Sequence, residues 1–135
     1  MTTDKLSDQC LQSNDNNNAK LISHNKRYEA VMQGDGNFVI YSLENTSSDK
    51  RHVVYETDTY HKGHGPYKFY SQNDGNLVIY DSKNNATWSS KTANVRTKRP
   101  GPYYCRLFDS GSLKAFDKNN EIMWSSPIDH NLGKL

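Results

Sequence analysis

A nine-residue pattern occurs twice in the chain and constrains its fold more than any other feature. Residues 33–41 read QGDGNFVIY and residues 72–80 read QNDGNLVIY, so the two copies differ only at their second and sixth positions. A turn followed by a strand could be built with far less agreement. Repetition at this spacing is typical of folds that are assembled from similar units.

A second repeated block extends the pattern to three units. DSKNNATWSS at 81–90 returns as DKNNEIMWSS at 117–126, which makes FDSGSLKAF at 108–116 the counterpart of the nine-residue pattern. The chain is long enough for one domain and too short for two ordinary ones. We therefore expect a single domain over 1–135, with a polar N-terminal leader followed by repeats near 26–62, 63–98 and 99–131.

The repeats carry signals for β-strands. Asp-Gly at 35–36 and 74–75 separates short apolar runs, which is typical of a β-hairpin. A third strand is predicted to end near Tyr55, Trp88 or Trp124. Nine Tyr, two Trp and four Phe suit pleated surfaces, and a mean hydropathy of −0.97 argues against long core helices. These features predict an all-β fold of three small antiparallel sheets, with the three aromatic residues filling the centre.

Turn and core requirements explain only half of the nine-residue pattern. Residues two apart on a strand share a face, so the polar positions lie opposite Phe38 and Ile40. Together they offer a carboxylate, two amides, a phenol and an apolar floor, which suit sugar hydroxyls and C–H groups. One carboxylate does not support paired acid–base glycoside hydrolysis, so we expect no enzyme activity. The predicted binding residues are Gln33, Asp35, Asn37, Val39 and Tyr41, and then Gln72, Asp74, Asn76, Val78 and Tyr80.

The five predicted binding positions of each repeat, four polar and one valine, are called the polar set here. The third repeat shows that this set can be lost. Its glycine (Gly111) and apolar Leu113 persist, but the five polar-set positions hold different residues. We infer that the hairpin does not require the polar set, which favours binding over recent duplication as its explanation, and we predict that the third site is inactive. The replacements are Phe108, Ser110, Ser112, Lys114 and Phe116.

The spacing Gln-x-Asp-x-Asn-x-Val-x-Tyr resembles the mannose-binding signature of the bulb-type lectins, also called monocot or snowdrop-type lectins. The segment LISHNKR followed by YEAVMQGDGNFVIY is most similar to the fish skin-mucus members. The resemblance covers nearly the whole chain. It implies a β-prism II fold, with three four-stranded sheets about a pseudo-threefold axis, and a homodimer formed by exchange of C-terminal strands. It implies binding without a metal or any other cofactor.

The resemblance also implies partners and roles. The partners would be mannose and high-mannose glycans on microbial or cell-surface glycoproteins, in agglutination or defence, with avidity from several weak sites. The implied contacts are Gln33 and Gln72 to the 3-OH, Asp35 with Asn37 and Asp74 with Asn76 to the axial 2-OH, Tyr41 and Tyr80 to the 4-OH, and Val39 and Val78 to ring carbons.

Several alternatives stay open. The inactive third site and an insertion over 42–53, beside the first site, are compatible with a β-prism protein-interaction or inhibitor module whose sugar sites are vestigial. The basic stretch Lys91–Arg106 could bind nucleic acid, but a solvated loop is the better interpretation, so no nucleic-acid partner is expected. His61 and His64 lack a third metal ligand and are better interpreted as solvated.

The two cysteines and the N-terminus bear on the compartment. Cys10 and Cys105 can stay reduced, pair with each other or bridge subunits; the sequence leaves these open. The N-terminus has no apolar signal region, and no apolar run reaches membrane-spanning length. We expect a soluble chain without membrane insertion, either cytoplasmic or exported by a route that uses no classical signal peptide.

Overall fold

The computed structural model describes residues 3–43 and 52–127. Within these ranges it has twelve strands and one four-residue helix, which confirms the predicted all-β fold. None of its described helical structure has the length and apolar character needed to cross a membrane. The elements are β1 (Lys5–Leu6), β2 (Gln9–Gln12), β3 (Lys20–Ile22), β4 (Tyr28–Met32), β5 (Phe38–Ser42), β6 (His52–Glu56), β7 (Lys68–Ser71), β8 (Leu77–Tyr80), β9 (Ala86–Ser89), α1 (Asn94–Thr97), β10 (Tyr104–Leu107), β11 (Leu113–Phe116) and β12 (Ile122–Ser125).

The strands form three antiparallel sheets of four. The first sheet has the order β3-β4-β5-β6, the second β2-β7-β8-β9, and the third β1-β10-β11-β12. Each sheet thus takes three consecutive strands from one repeat and its fourth strand from the N-terminal segment. The expected polar leader is therefore part of all three sheets, although residues 13–19, within the predicted loop SNDNNNAK, do lie outside strands.

One leucine anchors each N-terminal strand. Leu6 in β1, Leu11 in β2 and Leu21 in β3 are all buried and belong to the central apolar cluster. Strands of two to four residues with a single buried side chain show no alternation that a sequence pattern can reveal. This is why the segment is indistinguishable from a loop in the sequence.

Tyrosines from neighbouring repeats pack against the hairpin glycines. Gly36 and Gly75 both have φ of +93°, a conformation that glycine adopts without strain. A Cβ on Gly36 would lie 2.9 Å from the ring of Tyr67. Because each tyrosine comes from a different repeat than its glycine, the contacts link the three repeats in a ring. The three pairs are Gly36 with Tyr67, Gly75 with Tyr103 and Gly111 with Tyr28.

Aromatic side chains connect the sheets at the centre. The rings of Phe38 and Phe69 stack with centroids 4.0 Å apart. Trp124 lies 5.5 Å from Trp88 and 6.1 Å from Tyr55, both edge-on. Trp124 thus joins Tyr55 and Trp88, but the prediction that these three residues fill the centre is wrong, because they are partly buried and pack against a central cluster formed by other side chains.

Both cysteines are free thiols. Cys105, in β10, is fully buried, and burial raises the pKa of its thiol to about 12. Cys10, in β2, is half-buried, and burial likewise raises the pKa of its thiol. The two cysteines of one chain therefore do not pair with each other, and a bridge through Cys105 would require its sheet to open.

Candidate functional site

The first predicted set of residues, called site one here, is positioned by the β4–β5 hairpin. The backbone N–H of Gln33 donates to the carbonyl of Asn37 over 3.0 Å, and that of Gly36 donates to the carbonyl of Gln33 over 3.1 Å. Asp35 Oδ1 accepts the backbone N–H of Asn37 over 2.9 Å. The second set, site two, repeats this geometry on β7 and β8, with the same Asp-to-backbone bond at 2.9 Å between Asp74 and Asn76.

A glutamine joins the phenol to the carboxylate in site one. With its amide oriented to satisfy both ends, Gln33 accepts from the Tyr41 hydroxyl and donates through Nε2 to Asp35 Oδ1 and Oδ2 at 3.2 and 3.3 Å. In site two the Tyr80 hydroxyl donates to Gln72 Oε1 over 3.0 Å. In both sites the phenol donates its proton to the glutamine oxygen, and the Tyr80 oxygen keeps lone pairs that can accept a hydrogen bond.

The valines lie on the outer face, as the alternation predicts. Val39 and Val78 are 2% and 3% exposed, yet they are outside the central apolar cluster. Phe38 and Ile40, on the opposite face of β5, belong to that cluster and are fully buried. The structure therefore brings all ten predicted residues into two compact patches of five, one on the first sheet and one on the second.

The asparagines have a structural role that the sequence reasoning missed. Asn37 Oδ1 accepts the backbone N–H of Thr59 over 3.2 Å, and Asn76 Oδ1 accepts that of Thr92 over 3.1 Å. Each amide thus anchors the segment that follows the third strand of its repeat. The sequence does carry a signal for this role. A threonine, Thr59 or Thr92, recurs two residues after Thr57 or Ser90, and repeat three has no threonine there.

The two sites differ at one position on the neighbouring strand. Glu56 on β6 pairs with Val39, whereas Ser89 on β9 pairs with Val78. Glu56 Oε1 accepts a hydrogen bond from Asn37 Nδ2 over 2.8 Å. The corresponding donor, Asn76 Nδ2, meets no protein acceptor in the described part of the chain. Site two therefore offers an open amide donor beside its carboxylate, whereas site one has that donor engaged.

The third hairpin keeps the scaffold without the polar set. The backbone N–H of Phe108 donates to the carbonyl of Ser112, and that of Gly111 to the carbonyl of Phe108, both over 2.9 Å. The rings of Phe108 and Phe116 meet at 5.8 Å where the other repeats place Gln and Tyr. The third hairpin keeps this turn although it has none of the five polar-set residues. This agrees with the inference that the hairpin does not require them.

The other regions singled out in the sequence give no comparable arrangement. Most of the predicted insertion, residues 44–51, lies outside the described residues. His61 and His64 are exposed, and within the described ranges no cluster of three or more His, Cys, Asp or Glu is placed to hold a metal ion.

The basic stretch Lys91–Arg106 is partly committed to the fold. Arg99 pairs with Asp117 at 3.2 Å and with Glu121 at 2.9 Å, and Tyr103 is buried. Two of the groups that would make this stretch a nucleic-acid surface are thus engaged in internal contacts.

Comparison with solved structures places the fold among the bulb-type lectins of monocots. A monomeric mannose-binding lectin from Gastrodia elata superposes with a TM-score of 0.74 at 27% identity, covering 94% of this chain and 99% of the lectin. The Polygonatum cyrtonema lectin, solved in complex with a monomannoside, gives 0.66 at 26% identity, covering 90% of this chain and 94% of the lectin. The fold is β-prism II, as the resemblance implied.

Sequence comparison gives a shorter match. Comitin of Dictyostelium discoideum is 43% identical over 72 residues, which are 53% of this chain and 39% of comitin. The chain thus matches about two fifths of the length of that curated relative. No family model matches the sequence.

Proposed function

We propose that this chain is a non-enzymatic, metal-independent mannose-binding lectin whose principal sugar site is site two. The observation that carries the proposal is the duplicated patch of carboxylate, amides, phenol and valine, on a fold shared with mannose-binding lectins. The choice of site two is supported by Asn76 Nδ2, which meets no protein acceptor among the described residues, whereas the matching donor of site one is bonded to Glu56.

A pyranose can satisfy each of these groups. Asp74 has lone pairs beyond the one that accepts the Asn76 N–H, so its carboxylate can accept from a sugar hydroxyl while Asn76 Nδ2 donates to the same oxygen. An axial 2-OH fits this pairing. Tyr80 can accept from the 4-OH, and the Nε2 of Gln72 can donate to the 3-OH. Val78, which is 3% exposed, lines the base of the patch on the side that the ring C–H groups would face.

Mannose-rich branched glycans suit the arrangement of weak sites. Each patch is shallow, so a single sugar is held weakly, and simultaneous binding at two patches raises the apparent affinity by ~10²–10⁴. High-mannose glycans on microbial or cell surfaces are the proposed targets, with agglutination as the outcome. A homodimer would add further sites, although two sites on one chain already provide divalency.

Binding of immobilised yeast mannan, with and without a chelator, tests the function. The wild type should be retained and eluted by free methyl mannoside in both conditions. Tyr80→Phe and Asp74→Ala/Asn76→Ala should weaken retention, whereas Ser110→Ala, at the position equivalent to Asp74, should not. Circular dichroism checks folding, because Asp74 and Asn76 also hold the hairpin.

The outcomes separate the function from the site assignment. A wild type that binds neither mannan nor a wider glycan array would refute the lectin proposal and favour the protein-interaction or inhibitor module. A further variant combines Asp35→Ala/Asn37→Ala with Asp74→Ala/Asn76→Ala. Undiminished binding by this variant would keep the lectin function but show that these residues are not the site.

A further inference from the structure

The outer face of the third sheet carries a row of three cations. Lys5 on β1 pairs with Arg106 on β10, and Arg106 pairs with Lys114 on β11, so the three side chains share one face. We call these three residues the cationic row. The equivalent rows are Lys20, Val31 and Val39 on the first sheet, and Cys10, Tyr70 and Val78 on the second.

The row is unfavourable for the sheet that carries it. Neighbouring strands lie about 4.7–4.9 Å apart, so the three cations attach within roughly 10 Å of one another. Like charges directly opposite each other destabilise a sheet. The other two sheets show that the fold accepts valine or tyrosine at these positions, so folding alone does not explain the charges.

Aromatic rings support the cations and leave them able to bind anions. Lys5 Nζ lies 4.7 Å from the centre of the Tyr104 ring, and Lys114 Nζ lies 5.5 Å from that of Phe108. Neither lysine has a carboxylate partner among the described residues. Arg106 approaches Asp4 at 3.6 Å and lies 5.9 Å from the centre of the Tyr104 ring; its Nε is shielded from solvent and has no acceptor, so an anion would be bound by its terminal nitrogens. Two of the three charges are therefore uncompensated.

We propose that the cationic row is a third, separate binding site that takes the sulfate or carboxylate groups of an anionic glycan. Ammonium and guanidinium groups form charge-assisted hydrogen bonds with such oxyanions. Tyr104 and Phe108 are partly buried, and their rings pack on Phe116, so they fix the positions of the lysine ammonium groups beside them. Lys114 stands where the other two repeats have the valine of the nine-residue pattern, so the row shares one position with the sugar patches and otherwise uses neighbouring positions on the sheet.

A glycan fits this face better than other polyanions or a membrane. Nucleic-acid binding relies on many cations along a groove, whereas this face has three, on a chain with a net charge of +2. Membrane docking needs several exposed apolar side chains together, and among the large ones in the described ranges only Ile122, on β12, belongs to this sheet. The others are Val53, Tyr60 and Val95.

Binding to heparin and to dextran sulfate at about 50 mM NaCl tests the proposal. The row variant is Lys5→Gln/Arg106→Tyr/Lys114→Val, in which the last two substitutions copy the second sheet. The control variant Lys91→Gln/Arg96→Gln/Lys98→Gln removes the same charge from exposed positions elsewhere. We expect the wild type and the control to bind, and the row variant to lose about tenfold or more in affinity. Mannan binding by the row variant should be unchanged.

Each other outcome overturns the proposal. No heparin or dextran sulfate binding by the wild type refutes the site, and equal losses in both variants indicate diffuse charge attraction. Wild-type binding to single-stranded oligothymidine or to phosphatidylserine vesicles as tight as to heparin would refute the glycan assignment. Since mannan and heparin are measured separately, failure of this site is distinguishable from failure of the lectin function.

Discussion

Replacement of Glu56 by serine tests whether a side chain of the protein restrains its first site. Glu56 Oε1 holds Asn37 Nδ2 at 2.8 Å, and this is the donor that the proposed function gives to a sugar hydroxyl. The sugar must therefore displace the carboxylate before it can bind. Serine is the natural comparison, because Ser89 occupies the matching position of site two, where the donor is open.

The expected gain is modest because Glu56 is exposed. A hydrogen bond to a charged group contributes ~1.5–3 kcal/mol in favourable surroundings. An exposed carboxylate recovers hydration when it is displaced, which reduces the net restraint to ~0.5–1 kcal/mol. Since 1.4 kcal/mol corresponds to tenfold, Glu56→Ser should tighten mannoside binding at site one about two- to fivefold.

The measurement requires one site to be observed alone. In an Asp74→Ala/Asn76→Ala background, titration with methyl mannoside, followed by NMR, reports site one with and without Glu56→Ser. The reciprocal change, Ser89→Glu in an Asp35→Ala/Asn37→Ala background, should weaken site two by a similar factor. Unchanged or weaker binding after Glu56→Ser, in a folded protein, would refute the view that Glu56 restrains the site.

Other predictions concern stability and metal dependence. Gly36→Ala should destabilise the fold by ~1–3 kcal/mol in urea denaturation, because of its +93° φ and the nearby Tyr67 ring, whereas Gly34→Ala, whose Cβ would meet nothing within 4 Å, should change little. Burial raises the pKa of the Cys105 thiol to about 12 from 9.0. The contribution of this thiol to the free energy of unfolding is therefore constant below pH 9. It declines above pH 9, because the thiol ionises in the unfolded chain before it ionises in the folded one. The wild type should lose about 1.4 kcal/mol more than Cys105→Ala between pH 8 and 10; equal losses would contradict this assignment. EDTA should leave mannan retention unchanged, and a loss restored by calcium would contradict metal-independent binding.

The sequence predicts the parts of the fold that repetition and alternation encode. The hairpins, the outward valines and the meeting of Tyr55, Trp88 and Trp124 follow from the spacing of the repeats. The leader strands could not be predicted, because each depends on one leucine and on long-range pairing. The contact between Asn37 and Glu56 depends on the register of β5 with β6, which shifts between Ile40 and Tyr41 and follows an insertion of unpredictable path.

The threefold fold allows each face to change its chemistry independently. Inward residues at matching positions, Phe38, Leu77 and Leu113, stay almost fully buried in all three sheets, so the core does not depend on the outward residue that follows. In the first sheet the outward residue is Val39, beside the Asn37 amide that is bonded to Glu56. In the second sheet it is Val78, beside the open amide donor of Asn76, and in the third it is Lys114, within the cationic row. Because the backbone turns are the same, substitutions on one face alter its ligand without disturbing the other two. The three proposed sites, a restrained sugar site, an open sugar site and an anion site, can therefore share one small scaffold.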